Sequence, residues 1–542
     1  MGSDGRSTPR VVIVGLDGAS LELLNPWISE GLLPNLARLI ERGVSGGLES
    51  VIPPLTTPAW TTAVTGVPPA DHGVLNFARP RFGRSNLDFF NALDRRVPAL
   101  WDFLGAAGKR SLVLHLPAAH PPFEIDGALI SGIPLTDIRS DCTYPKSLRD
   151  ELIANIPGYK LYPNTRKLKG ERDAYFEDAV ATLRTHVEEA LFLMRREAWD
   201  MLFTVWQPGD SLMHFFWKDM DGRSGVEARR NYIRDYYREA DAGIGRIVEE
   251  AGDDATVIVM SDHGHTGVHG AVYLNKWLVE NGYMDFRTTF RQGLELLLLK
   301  VQRKFRRRFV KRRKFKEDED QMTQIAARLL EKLEQGIRWS STKAHAEPPG
   351  YIWICTKDRY PLGIVEPGEE YLRVREEIRE GLAGLIDPDT GDPVFEAVLT
   401  KDQAFDGPAA ADAPDLVVMC RAGFITEYGL RRNFVVGPSQ GARFNGYHVM
   451  KGLFVAAGPE LQKGTTIEGS RILDIAPTIL HLLNLPVPPA MKGSVLADAF
   501  VDGAIARRPV RIEKVPVKFT PSSKGEVERE SIEQSLRDLG YM

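Results

Sequence analysis

The ten residues from Ser261 to Gly270, SDHGHTGVHG, set one aspartate and three histidines directly after the apolar run ATVIVM at 255–260. Carboxylates and imidazoles are the side chains that hold divalent ions, so this density at the end of a β-rich run reads first as metal chemistry. Two more runs end the same way. VVIVGLDG delivers Asp17, and MLFTVWQPGD delivers Asp210 with His214 four residues on, a spacing that turns both side chains to one side of a helical turn. His448, in GYHVMKG, stands just ahead of the apolar run GLFVAA. A single aspartate after a strand is most often a turn former or a helix cap; three in one chain, with histidines beside them, carry the argument. Asp17, Asp262 and His263 on one side and Asp210, His214 and His448 on the other supply ligands for two divalent ions, zinc by preference with manganese as the alternative. His265 and His269 have the i, i+4 spacing of a helical zinc pair, but Gly264, Gly267 and Gly270 speak against a helix there. They are expected behind the ligands or toward a substrate. His72, in PPADHGV, reads as a structural residue of a turn.

A pair of ions needs a group to activate, and IPPLTTPAWTTAVTG at 52–66 offers one. Pro58 suits the first turn of a helix, which predicts Thr57 as N-cap and Thr56 at the helix mouth. Free N–H groups and positive potential at such an end favour a bound phosphate or sulfate. A hydroxyl held there beside a metal can ionise and attack.

The elements that must position these groups are legible as short apolar runs separated by helical patterns, the signature of a parallel sheet covered on both faces. The clearest runs are RVVIVGL (10–16), RSLVLHL (110–116), MLFTVW (201–206), ATVIVM (255–260), DLVVMC (415–420) and GLFVAA (452–457). PNLARLIERG (34–43) is a predicted helix with Leu36, Leu39 and Ile40 on one face and Gly43 as its stop. The fold class is therefore α/β, in which ligands bind beyond the carboxyl ends of the strands. With 542 residues and 43% hydrophobic content the chain can build a large core or two to three domains, and a formal net charge of -4 gives no whole-chain argument for nucleic acid or membrane binding. Cys142, Cys355 and Cys420 form no CxxC pair and read as small apolar residues in a reducing compartment. The polar start MGSDGRSTPR lacks a signal-peptide core, and no apolar run reaches the length of a membrane span. A soluble, cytoplasmic protein is expected.

The ordered set GLDG, PPLTTPAWTTAVTG, GDSLMH, SDHGH and GYHVMKG resembles the alkaline phosphatase superfamily, in particular its type I phosphodiesterase and nucleotide pyrophosphatase branch with the phosphohydrolase/phosphomutase group, over roughly residues 10 to 500. The resemblance implies a mostly parallel central sheet flanked by helices, with an inserted cap subdomain. It implies that Asp17, Thr56, Asp262 and His263 hold one metal, that Asp210, His214 and His448 hold the other, and that Thr56 attacks phosphorus in line to form a phosphothreonine that water then releases. One departure stands out. Nucleotide pyrophosphatases usually carry asparagine three residues after the nucleophile, where this chain has Ala59, followed by Trp60. The run TPAW is familiar in the wider phosphodiesterase group and argues against a sulfatase, and Trp60 is expected at the substrate.

The expected organisation is a flexible start at 1–9, a catalytic core at 10–285 and 401–510, an inserted cap at 286–400, and a linker with a terminal helix at 511–542. Within the cap, KVQRKFRRRFVKRRKFK (300–316) has eleven Lys or Arg in seventeen residues, with Leu294, Leu298, Val301 and Phe305 on one predicted helix face. Such a helix is either solvated, neutralised by EDED (317–320), or attracted to an anionic membrane surface, with nucleic acid less favoured. Lys343 and His345, in WSSTKAHAEPPGYIWICTKDRYPLGIV, are candidates for substrate contact, since the resemblance sets this stretch beside the cleft. SIEQSLRDLGYM predicts a short C-terminal helix on Ile532, Leu536 and Leu539. The expected activity is cleavage of a phosphodiester or pyrophosphate bond in a phosphate-ester substrate. The alternatives are phosphoryl transfer by a mutase-like relative, or a non-catalytic scaffold acting through the basic helix.

Overall fold

The computed structural model describes residues 9–78, 89–134, 138, 141–165, 171–222, 230–286, 336–430, 435–439 and 444–519. The basic segment 300–316, the acidic run after it and the predicted C-terminal helix lie outside the described residues.

The expected strands form. In chain order, β1 (Arg10–Leu16), β2 (Val44–Glu49), β3 (Ser111–Leu116), β4 (Gly127–Ser131), β5 (Thr143–Tyr144), β6 (Met201–Trp206) and β7 (Ala255–Met260) enter one central sheet. Later in the chain, β17 (Lys451–Ala457), β18 (Thr465–Thr466) and β19 (Ser470–Arg471) join it. The order is β18-β2-β17-β7-β1-β6-β3-β4-β5, with β19 also on β2. β7, β1 and β6 are adjacent and parallel, and Leu16 pairs with Trp206 while Gly15 pairs with Met260. This register brings Asp17, Asp210 and Asp262 to one end of three neighbouring strands, the place where an open α/β sheet binds ligands.

Both faces of the sheet are buried, as continuous apolar runs demand. Along β1, Val12 and Val14 face a core that includes Leu183, Val187, Ile244 and Ile247 from the helices Arg172–Arg196 and Tyr232–Ala251. Val11 and Ile13 face Trp60, Ala63 and Val64 of the helix Thr56–Thr65 and Ile475 and Ile479 of the helix Ile475–Leu482. The predicted helix at 34–43 runs from Pro34 to Arg42, burying Leu36 and Leu39.

Two runs expected as parallel strands behave differently. β17 is antiparallel to both β2 and β7, because the chain enters the sheet at the carboxyl end of β7 and must run back down it. The run at 415–420 leaves the central sheet altogether and forms a second one. That sheet joins β10 (Ala344–Glu347), β11 (Tyr351–Ile354), β12 (Phe395–Thr400) and β13 (Leu416–Cys420) in the order β10-β11-β13-β12. Its strands lie between residues 344 and 420 of the chain. One of its faces packs Ile352, Ile354, Leu416 and Val418 with Val374, Ile378 and Leu382 of the helix Glu369–Ala383. The other packs Tyr351, Trp353, Val417 and Met419 against Leu55, Val74, Leu75 and Phe90, so this second sheet sits directly on the segment that leads into Thr56. Cys142 and Cys355 are buried and Cys420 is half-buried. Among the described residues, no helix is long and apolar enough to cross a membrane.

Candidate metal centre and nucleophile

Six of the seven residues expected as ligands, all but Thr56, gather with His265 into two groups: Asp17, Asp262 and His263 in one, and Asp210, His214, His265 and His448 in the other. Their positions follow from the elements beneath them. Asp17 and Asp262 leave the ends of β1 and β7, and the Gly18 amide donates to Asp262 Oδ1 at 3.1 Å, locking the two turns together. Gly18 has φ +77, and a Cβ there would stand 2.6 Å from His265 Nδ1, so only glycine fits. Asp210 and His214 lie on one helix, Pro208–Met220, as the i, i+4 spacing predicts. His448 comes from β16 (Gly446–Val449), which pairs with β8 (Gly264–Gly267) rather than with the central sheet.

The four imidazoles are oriented alike. Nδ1 of His214, His265 and His448 faces a backbone carbonyl: Gly446 at 2.9 Å, Gly18 at 3.2 Å and Pro54 at 2.8 Å, respectively. His263 Nδ1 faces the Gly264 carbonyl at 3.2 Å. A carbonyl only accepts, so each Nδ1 carries the proton and each neutral ring turns the Nε2 lone pair inward. The rings of His263 and His448 stack at 3.6 Å and join the two groups. His214 Nε2 faces His448 Nε2 at 3.0 Å, and His263 Nε2 faces Asp262 Oδ2 at 3.1 Å. Lone pair against lone pair, or against carboxylate, repels unless a cation lies between them. Asp17 Oδ1 and Asp262 Oδ2 are buried with no hydrogen-bond partner, which points the same way.

Electrostatics reinforces the point. Burial first, and then the charges of Asp262 and Asp210, push the Asp17 carboxyl well above its ordinary range. Burial pushes Asp262 up to about 7, although its bond from Gly18 opposes this. Burial and the neighbouring imidazoles push His263 and His265 well down. Two buried carboxylates beside neutral imidazoles form a site whose charge a divalent ion would balance. The residues present fit such an ion at each group.

Thr56 lies beside the first group, with Oγ1 3.4 Å from His263 Nε2, and it is fully buried. It occupies the first position of the helix Thr56–Thr65, whose N-cap is Leu55. Thr57 is thus inside the helix and does not cap it: both threonines already have helical backbone, and the first intrahelical bond runs from the Ala59 amide to the Leu55 carbonyl. Pro58 costs no bond, because its missing N–H precedes that ladder.

Trp60 is also corrected. Expected at the substrate, it is fully buried, and its indole N–H donates to Asp17 Oδ2 at 3.1 Å while its ring meets Phe203 edge-on. A Cβ on Gly15 would lie 2.5 Å from the indole, so the glycine of GLDG makes room for the residue that orients the aspartate of GLDG. No spacing rule in the sequence connects these positions. His269 is exposed against Phe424, away from both groups. Lys343 and His345 belong to neither group. Lys343 is half-buried at the start of β10, and His345 is buried in that strand with Nε2 3.5 Å from Glu347 and Nδ1 3.8 Å from Cys355 Sγ. Burial disfavours the His345 charge, but Cys355 and Glu347 outweigh it and bring the group up to about 9.

His72 proves structural, as expected, with a definite task. Its Nδ1 accepts from the Val74 amide at 3.1 Å, so Nε2 carries the proton and faces Thr62 Oγ1 at 3.0 Å, tying down the helix that begins with Thr56. Burial lowers its pKa to about 3, from 6.5. Below about pH 6.5 the unfolded chain therefore takes up a proton that the folded chain refuses, and stability falls with falling pH by about 1.4 kcal/mol per unit for this group. His72→Gln should be less stable at neutral pH, and its urea stability should fall less steeply than wild type's between pH 6.5 and 4.5; parallel slopes would refute this account.

The family model for type I phosphodiesterase / nucleotide pyrophosphatase matches residues 11–447. No curated protein is significantly similar. Among solved structures, human ectonucleotide pyrophosphatase / phosphodiesterase 5 is 14% identical, with 90% of this chain and 97% of that one covered at a TM-score of 0.49. An inactive form of the murine protein in complex with AMP is 14% identical, covering 88% and 95%, TM-score 0.49. Phosphonoacetate hydrolase from Sinorhizobium meliloti, in complex with phosphonoformate, is 15% identical, covering 89% and 97%, TM-score 0.49. With four of the five sequence motifs and part of the fifth inside the matched span, the chain belongs to the type I phosphodiesterase / nucleotide pyrophosphatase family.

Proposed function

We propose that the protein is a two-metal phosphodiesterase or pyrophosphatase that works through a phosphothreonine on Thr56. The observation that carries this reading is the position of Thr56 Oγ1, a hydroxyl at a helix mouth and 3.4 Å from His263 Nε2. Asp17, Asp262 and His263, with the Thr56 oxygen, would hold one divalent ion, and Asp210, His214 and His448 the other. Bound ions supply Lewis acidity, lowering the pKa of the hydroxyl and offsetting the charge of the phosphate.

The chain's own residues do the rest. The helix Thr56–Thr65 fixes the Thr56 rotamer through tight packing and sets the amides of Thr56 and Thr57 at the phosphate. The oxygen attacks phosphorus in line, the bond to the leaving alcohol or phosphate breaks, and the threonine proton passes to solvent. Water then attacks the same phosphorus, which still carries its other substituent; the bond to Thr56 Oγ1 breaks, a proton returns to that oxygen, and the phosphate monoester leaves. Trp60 holds Asp17 in place, and the backbone carbonyls behind the four imidazoles keep each Nε2 directed inward. Buried Ala59 offers no amide side chain for a second phosphate oxygen, so a simple diester is the fitting first substrate.

The test is turnover of bis(p-nitrophenyl) phosphate, p-nitrophenyl phosphate and p-nitrophenyl sulfate by the zinc- or manganese-loaded chain. Diester cleavage should exceed monoester cleavage, sulfate should stay intact, and dialysis against a chelator should remove activity that added metal restores. A metal-loaded protein that leaves every ester intact would overturn the proposal.

A further inference from the structure

The two centres differ in a way the seven expected ligands do not account for. We infer that His265 is a fourth protein ligand of the Asp210 centre, closing that centre around a tightly held zinc ion; this rests on the two-metal reading above.

The geometry comes from a small antiparallel ribbon. His265 on β8 lies directly opposite His448 on β16, and opposed residues of an antiparallel pair project to the same face. The two rings are 4.9 Å apart, and the His265 ring is 4.7 Å from that of His214. The Gly18 carbonyl holds Nδ1 of His265, so its inward atom is Nε2, which is buried and has no hydrogen-bond partner. That atom lies 3.4 Å from Asp210 Oδ1, the same distance at which His214 Nε2 and His448 Nε2 approach this oxygen.

Four donors bonded tetrahedrally to zinc at about 2.0 Å stand about 3.3 Å from one another. Three edges here are 3.4 Å, and the His214–His448 edge is 3.0 Å. Three imidazoles and one carboxylate also favour zinc over manganese or magnesium, which prefer oxygen. The Asp17 centre has two carboxylates, one imidazole and the substrate-side Thr56, an open set suited to exchange. With its fourth position filled by a protein imidazole rather than by an exchangeable group, the Asp210 centre should hold zinc more tightly than the Asp17 centre. The chain would thus carry one resident ion and one exchangeable ion.

The experiment titrates the full-length chain with zinc in chelator buffers of graded free-metal concentration and measures bound metal by mass spectrometry. Wild type should hold one equivalent at free zinc levels where the second has left. In His265→Ala and His265→Gln the tight equivalent should weaken by roughly 10- to 100-fold or more, while the weaker one is unchanged. Asp17→Asn, which opens the other centre, should keep the tight equivalent, and its cobalt form should show the strong visible absorption of a tetrahedral ion, which the double variant with His265→Ala loses. If His265→Ala and His265→Gln, folded by circular dichroism, bind both equivalents as wild type does, His265 is not a ligand and the two-metal reading stands. If wild type binds fewer than two equivalents, the two-metal reading itself fails.

Discussion

Thr56→Ala is expected to bind both metal ions and to turn over no diester, with a loss of at least about 10^3-fold in kcat, or about 4 kcal/mol of transition-state stabilisation. The reason is the division of labour at this site. The imidazole and carboxylate groups are set by the ends of β1 and β7, the β8–β16 ribbon and one helix, and none of those contacts involves the Thr56 hydroxyl except its approach to His263. Removing one oxygen from a threonine at the first helical position leaves the helix itself intact, because the hydroxyl caps nothing there. The variant should keep close to wild-type thermal stability and lose only the atom proposed to form the bond to phosphorus. Thr56→Ser, which keeps the hydroxyl, should retain measurable activity. Rapid acid quench of wild type during turnover of bis(p-nitrophenyl) phosphate should trap a p-nitrophenyl phosphoryl group on the peptide carrying Thr56, and Thr56→Ala should trap none. Alanine activity near that of wild type would make a water molecule the nucleophile and Thr56 a bystander.

How far this site could be read from the sequence depends on the range of the interactions that build it. Asp17 and Asp262 were legible because each follows an apolar run within two residues, so the strand that carries it and the polar end that exposes it are local features. Asp210 and His214 were legible because a helix repeats every 3.6 residues and their spacing is one turn. His448 was not legible in that way. Its neighbourhood says only that a strand follows, and it joins Asp210 and His214 as one more histidine beside a strand, with no spacing rule to tie it to them. His265 shows the limit more sharply. Glycines at 264 and 267 rule out the helix that would pair it with His269, but the ribbon that sets it opposite His448 is formed with residues far along the chain, and register between distant strands has no local signature. The same holds for the run at 415–420, whose apolar pattern announces a strand but not which sheet receives it. Trp60 was misjudged for a related reason. An aromatic next to a nucleophile suggests a wall for substrate, whereas the contact that decides its role is with Asp17, on β1's far end, through space cleared by Gly15.

Asp210→Asn should have the second large effect, and it separates the two centres. Asp210 is fully buried and its Oδ1 is the one carboxylate oxygen that three imidazoles, His214, His265 and His448, approach at 3.4 Å. Burial by itself would raise its pKa, but the facing nitrogens of His214, His448 and His265 outweigh burial where they carry a proton and hold the carboxyl below the ordinary carboxylate range, and a cation bound among neutral rings would do the same. It is the only carboxylate among the four donors. An asparagine of nearly the same shape keeps the packing yet offers a neutral oxygen and an N–H that points a positive edge at the ion. The expected result is loss of one metal equivalent at zinc concentrations that saturate wild type, retention of the equivalent at Asp17, Asp262 and His263, and a fall in kcat of at least about 10^3-fold. Metal content and diester turnover measured on the same sample decide it. Loss of both ions would mean that the stacked rings of His263 and His448 couple the centres into one cooperative unit. Full metal content with full activity would remove Asp210 from the site, and with it the hub on which the four-donor geometry depends.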